Sequence, residues 1–164
     1  MMRTDKLTPS DASWRARLVQ NDTTISQIAR GAQRVAVLGI KTADAGGPAY
    51  YVPEYLQGQG LTIIPVPVYY PDATVILGEP VHRSLATVQP AADMVVLFRR
   101  PADVPSHLAE LLAARPAVVW MQQGISHPAT AEALAQAGIT VVQDRCLLVE
   151  WDRAQRESAG AARD

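Results

Sequence analysis

The run Val35-Ala36-Val37-Leu38 stops at Gly39, and a polar, glycine-containing loop then leads to Pro48, where a helical pattern opens. A short apolar run between turn signals reads as a buried strand, and proline's fixed φ suits the first helical position. A strand that turns tightly into a helix N-terminus is where α/β proteins hold phosphates. Unpaired N–H groups and the positive end of the helix dipole meet there.

The unit recurs along the chain. Apolar runs at 61–66, 93–98, 117–121 and 139–142 are separated by helical patterns from Pro48 to about Gly58, at 102–114 and at 128–137. Short strands alternating with helices predict an α/β fold, a doubly wound parallel sheet with helices on both faces. Right-handed crossovers give the strand order 3-2-1-4-5-6 in its simplest form. The exit Pro65-Val66-Pro67-Val68-Tyr69-Tyr70-Pro71 is stiff and extended, and its prolines keep it out of a central strand. Residues 74–83 read as a turn with a short edge strand, and 146–150 as one more extended piece.

The flanks are read more coarsely. Residues 1–9 form a tail, and Ser10-Asp11 cap a helix to about Gln20 with Trp14, Leu18 and Val19 on one face. A second helix runs over 23–30, turning Ile25, Ile28 and Ala29 inward and stopping at Gly31. The polar stretch after Trp151 reads as frayed. The expected division is an N-terminal tail and helix over 1–24, a binding domain over 25–152 and a C-terminal tail over 153–164.

Composition limits the partners. Fifteen basic against 16 acidic residues provide no basic field for a nucleic-acid backbone. Cys146 is the only cysteine in 164 residues, so no internal disulfide forms and a reducing compartment is favoured. No apolar run approaches the roughly 20 residues needed to span a bilayer, and Met1–Lys6 opens no signal core. A cytoplasmic protein with no membrane and no nucleic-acid partner is expected.

In a doubly wound sheet the ligand crevice lies at the carboxyl ends of the strands, where the winding reverses. That rule brings together the loop after Gly39, the Val66-Pro67-Val68 exit, the Phe98-Arg99-Arg100 exit and the loop Gln122-Gln123-Gly124. A nicotinamide dinucleotide is disfavoured. Gly39 has no second glycine in place, and the second strand ends in Pro65-Val66-Pro67 without the ribose-binding acid. A Walker-type loop is absent because no Gly-Lys-Ser or Gly-Lys-Thr triplet occurs.

Seven motifs in order carry a resemblance: Val37-Leu38-Gly39-Ile40, Pro48-Ala49-Tyr50-Tyr51-Val52, Ile64-Pro65-Val66-Pro67, Ile76-Leu77-Gly78, Phe98-Arg99-Arg100-Pro101, Val119-Trp120-Met121-Gln122 and Asp144-Arg145-Cys146. Over about residues 25–152 the chain resembles the small single-domain CoA-binding proteins and the CoA-binding domain of the succinyl-CoA ligase α-subunit. The resemblance implies a Rossmann-like fold with coenzyme A, or an acyl-CoA, across the carboxyl edge of the sheet. Gly39, Ile40, Lys41 and Thr42 would then contact phosphate and nucleotide. Val66, Pro67 and Val68 would line the adenosine, while Phe98, Arg99 and Arg100 flank pyrophosphate or pantetheine, with Tyr50 and Gln122 completing the site. Lys41, Arg99 and Arg100 suit the phosphates physically, although the two arginines also read as a solvated loop pair. The family usually has a serine where Lys41-Thr42 stands in a loop one residue longer. Its usual Pro-Val-Asn-Pro is replaced here by Pro-Val-Pro-Val-Tyr-Tyr. Tyr69 or Tyr70 either stacks on adenine or covers the sheet edge, and leaves a homodimer or another protein partner open.

The expected role is non-catalytic binding, as a sensor, carrier or regulatory protein. The alternatives are an enzyme dependent on a nucleotide or CoA thioester, and an interaction module with a degenerate site. His82, His107 and His127 show no acid partner in sequence, and the single cysteine and dispersed histidines have no metal-ligand spacing. Cys146 reads either as a small buried hydrophobe or as a thiol that forms a mixed disulfide with CoA. Asp144 and Arg145 read as a structural pair.

Overall fold

The computed structural model describes residues 13–161; the expected tail over 1–9 and the cap at Ser10-Asp11 lie outside these residues. Six parallel strands form one sheet in the order β1-β8-β7-β6-β2-β3. They are β1 (Leu18–Val19), β2 (Arg34–Leu38), β3 (Thr62–Val66), β6 (Met94–Leu97), β7 (Val118–Met121) and β8 (Thr140–Val142). Strands β4 (Val75–Ile76) and β5 (Glu79–Pro80) form a separate antiparallel hairpin. Helix α1 spans Asp22–Gly31, α2 Pro48–Gly58, α3 Leu108–Ala114, α4 Pro128–Gln136 and α5 Leu147–Ala161.

The sheet is buried on both faces, and the two faces follow from strand alternation. Val35, Val37, Met94, Val96 and Trp120 meet α1, α2 and α5 through Ile25, Val52, Leu56, Leu147 and Trp151. Ala36, Leu38, Val95, Leu97, Val119 and Met121 point the other way, against Val104 and Leu111 before and in α3 and Ala131 and Leu134 in α4. Trp120 is fully buried, and its indole N–H donates to the Arg145 carbonyl at 2.8 Å. This satisfies its polar edge and fixes the chain entering α5.

The strand order corrects the expectation at both edges. The third, outermost strand is absent: β3 ends the sheet, and residues 75–80 form the two-residue hairpin instead. One bond, from the His82 N–H to the Pro65 carbonyl at 2.9 Å, ties this region to the β3 edge. Pro65 sits in β3 without an amide donor, which an edge strand tolerates. At the opposite edge, residues expected to be helical to Gln20 form a 3₁₀ turn, Trp14–Arg17, followed by β1. Leu18 and Val19 pair with Val141 and Val142.

The C-terminal reading is also corrected. Residues 147–150 of the piece expected to be extended, and residues 152–161 of the stretch expected to fray, lie on a single helix from Leu147 to Ala161. Leu147, Glu150, Trp151 and Ala154 form its buried stripe. Glu150 is held there by Arg145 and Arg153, and Arg145 reaches on to Asp22 of α1 at 2.9 Å.

Candidate functional site

The winding reverses between β2, whose following helix α2 lies on one face, and β6, whose following α3 lies on the other. Gly39 makes that junction possible. Its φ is +92°, and a Cβ at this position would stand 2.2 Å from the Phe98 carbonyl oxygen. The Gly39 N–H donates to the Val66 carbonyl and the Phe98 N–H to the Leu38 carbonyl, both at 2.9 Å. Three strand ends are thus laced together directly beneath the crevice.

Above them lies a cleft of about 540 Å³, within the roughly 300–1,000 Å³ typical of ligand pockets. The loop after β2 and the start of α2 supply one wall through Lys41, Gly46, Gly47, Ala49, Tyr51 and Val52. The β6 exit supplies Phe98, Arg99, Arg100 and Pro101. The far side comes from Gln122, Gln123 and Ile125 after β7 and from Cys146 at the entry to α5. Helix α2 starts at this cleft with Pro48 in its first turn behind Gly47, so it presents the positive end of its dipole there; Pro48 has no N–H, and the Tyr50 and Tyr51 N–H groups donate to the Gly47 carbonyl. Gly47 has φ +76° and ψ −178°, a conformation essentially confined to glycine.

The cations at the rim differ in their attachments. Lys41 is exposed and makes no ion pair among the described residues. Arg99 is mostly buried, with 13% of its side chain exposed. Its Nε donates to His107 Nε2 at 3.1 Å, its guanidinium lies 5.6 Å over the Tyr69 ring, and Asp103 is 3.8 Å away. Arg100 is largely exposed and bonds Asp103 at 2.8 Å. That bond, foremost, holds the Asp103 carboxyl below its ordinary range and raises the Arg100 guanidinium above its own.

Gln122 is the polar group enclosed by the site. It is 3% exposed, its Oε1 accepts the Leu147 N–H at 3.0 Å, and its Nε2 has no partner. The Leu147 bond sets the amide orientation, so the unpaired atom is a donor.

The sequence-predicted residues therefore divide. Lys41, Phe98, Arg99, Arg100 and Gln122 meet at the cleft. Gly39 lies beneath it, and Ile40 and Val66 are buried in the core, Val66 meeting Gly39 through its carbonyl. Thr42 lines a second depression of about 670 Å³, with Asp44, Tyr70 and Asp72. Tyr50 is not in the lining; burial and then Glu54 push its phenol above the ordinary value, while Tyr51, 50% exposed, lines the cleft in its place. Pro67 is buried and Val68 exposed, and neither lines the cleft. Gly47, Tyr51 and Ile125 were passed over, although Pro48 already marked the helix start that places the first two.

Other expectations resolve locally. His107 does have an acid beside it: Glu110, one helical turn on, lies 3.6 Å from Nδ1. His82 Nδ1 meets Thr87 Oγ1 at 2.9 Å, and His127 Nδ1 accepts the Thr130 N–H in capping α4. Asp144 and Arg145 do not pair. Asp144 accepts the Gly124 N–H at 2.6 Å, while Arg145 turns to Asp22, Glu150 and the Gln20 carbonyl. No metal-ligand cluster occurs among the described residues, and none of their helices is long and apolar enough to cross a membrane. A larger depression, about 870 Å³ along β1 and the start of α4, is not at the winding reversal. The chemistry of the cleft, rather than its size, makes it the candidate.

Comparison with known proteins gives the family and the fold. A model of a CoA binding domain matches residues 33–152. The Bacillus subtilis (strain 168) protein titled uncharacterized protein YneT is 30% identical over 125 residues, covering 76% of this chain and 90% of its own. The Thermus thermophilus structure titled cell-free ID.343 superposes with a TM-score of 0.74 at 40% identity, over 82% of this chain and 99% of that one. Prb, titled as the PH1109 protein redesigned for binding, superposes with a TM-score of 0.75 at 25% identity, over 84% and 94%. With a six-stranded parallel Rossmann-like sheet and a family match across most of its length, the chain belongs to the CoA-binding-domain family.

Proposed function

We propose that this protein binds coenzyme A or an acyl-CoA in the cleft at the carboxyl ends of β2, β6 and β7, as a cytoplasmic, non-catalytic sensor, carrier or regulatory protein. The observation that carries the reading is the cleft's paired chemistry. One end offers a helix N-terminus with Lys41, Arg99 and Arg100, and the other a buried amide donor without a partner. The first suits phosphates; the second suits an amide carbonyl, which the pantetheine arm supplies. The residues present therefore fit the cofactor. Lys41 and the start of α2 would hold phosphate oxygens. Arg99, oriented by His107 and Tyr69, has one carboxylate near it, and Arg100 already occupies that carboxylate. Its charge is thus left for an anionic ligand.

Calorimetry and native mass spectrometry with CoA, acetyl-CoA, NAD and ATP test the reading. Saturable, one-to-one binding of CoA or acetyl-CoA with no turnover supports it. Turnover of the thioester indicates an enzyme, and binding of none of the four indicates an interaction module.

A further inference from the structure

We propose that Cys146 exchanges with the disulfide of CoA, so that CoA becomes joined to the protein as a mixed disulfide. This rests on the reading of the cleft as a CoA site. Cys146 is half-buried: it packs against the core on one side and lines the cleft on the other. The independent observation is Gln122. Its amide is buried in the same cleft and is anchored by the N–H of Leu147, the residue after Cys146, and its Nε2 lacks an acceptor. A buried donor left unpaired is unfavourable, and a ligand carbonyl would satisfy it.

The order of groups along the cleft matches the order of groups along the cofactor. Lys41 follows β2, Arg99 follows β6, Gln122 follows β7 and Cys146 follows β8, which are successive neighbours in the sheet. Three strand spacings cover roughly 14 Å. A ligand with phosphates over β2 and β6 sends its amide-bearing arm past Gln122 and its sulfur toward Cys146. Arg145, the nearest cation in sequence, is committed to Asp22 and Glu150.

The exchange balances without a further reagent. The Cys146 thiol loses its proton, and the thiolate attacks one sulfur of CoA disulfide. The donor's S–S bond breaks as the Cys146–S–S–CoA bond forms, and the other CoA departs as a thiolate that takes up a proton. The donor disulfide is the oxidant, and its released half is the reduced product.

The test incubates reduced protein with CoA disulfide or, separately, glutathione disulfide, and reads adducts by intact mass and peptide mapping. The expected result is one CoA unit on Cys146, removed by reductant, at a rate that saturates with CoA disulfide concentration. Glutathione disulfide should label about tenfold or more slowly, because it lacks the binding contacts. Acetyl-CoA, whose sulfur is blocked, should compete, and Gln122→Glu, which keeps an acceptor for Leu147 but loses the donor, should slow labelling. No adduct, unsaturable labelling, or equal rates with the two disulfides overturns the proposal. Parallel calorimetry separates the cases: CoA binding without an adduct rejects the exchange alone, and absence of binding rejects the site reading as well.

Discussion

Replacing Gly39 with alanine attacks the junction on which the cleft stands. The added Cβ would meet the Phe98 carbonyl oxygen at 2.2 Å and the Arg99 Cδ at 3.2 Å. The first obstacle is backbone, so no rotamer change relieves it and β2 must part from β6. Holding an L-residue at φ +92° costs about 1–2 kcal/mol. Overpacking adds about 1–3 kcal/mol, and the sum is about 2–5 kcal/mol. At roughly 2–4 °C per kcal/mol for a chain of this size, the melting temperature falls by about 4–20 °C. Gly47→Ala is the matched control, because its φ is +76° with nothing within 4 Å of the new Cβ; backbone strain alone costs about 1–3 kcal/mol. Thermal and urea unfolding followed by circular dichroism measure both variants. A Gly39→Ala protein that melts within a degree of wild type, or no lower than Gly47→Ala, would refute the close approach of β2 to β6.

Three further outcomes follow from the same contacts. Arg99→Ala should weaken CoA binding by about 1–3 kcal/mol by calorimetry, and an unchanged Kd removes Arg99 from the site. Asp103 has a depressed carboxyl because Arg100 hydrogen-bonds it. Its stabilisation is complete above the ordinary carboxylate range and is lost as pH falls through the folded value. Asp103→Asn should therefore flatten the acid limb of the stability–pH profile, and an unchanged limb contradicts the pairing. Glu150→Ala should leave Arg145 and Arg153 without their shared buried carboxylate and speed amide exchange in α1, which Arg145 ties to α5 through Asp22. Exchange in α1 equal to wild type counts against that tie.

The central sheet was legible because its strands are buried on both faces and so read as unbroken apolar runs between glycines and prolines. Val35–Leu38 and Met94–Leu97 pair in register as neighbours, and the crevice falls at their ends. The edges were not legible. Leu18–Val19 is two residues long and becomes a strand only because β8 lies beside it. Pro80, lacking a donor, ends a hairpin where an edge strand of the sheet was expected. Helix α5 was hidden by Glu150: a carboxylate between Leu147 and Trp151 in the buried stripe does not read as core until its two arginines are known. At the site, residue identity was readable but direction was not. Of the adjacent Tyr50 and Tyr51 only Tyr51 lines the cleft, and Lys41 and Thr42 line different depressions.

Amide chemical-shift mapping with CoA tests the central claim most directly. The account predicts saturable shifts concentrated at the non-proline residues of 46–49, at the start of α2, and of 98–101 and 122–125, after β6 and β7. Shifts confined to the groove along Trp14–Gln20, or none at saturating CoA, would contradict it.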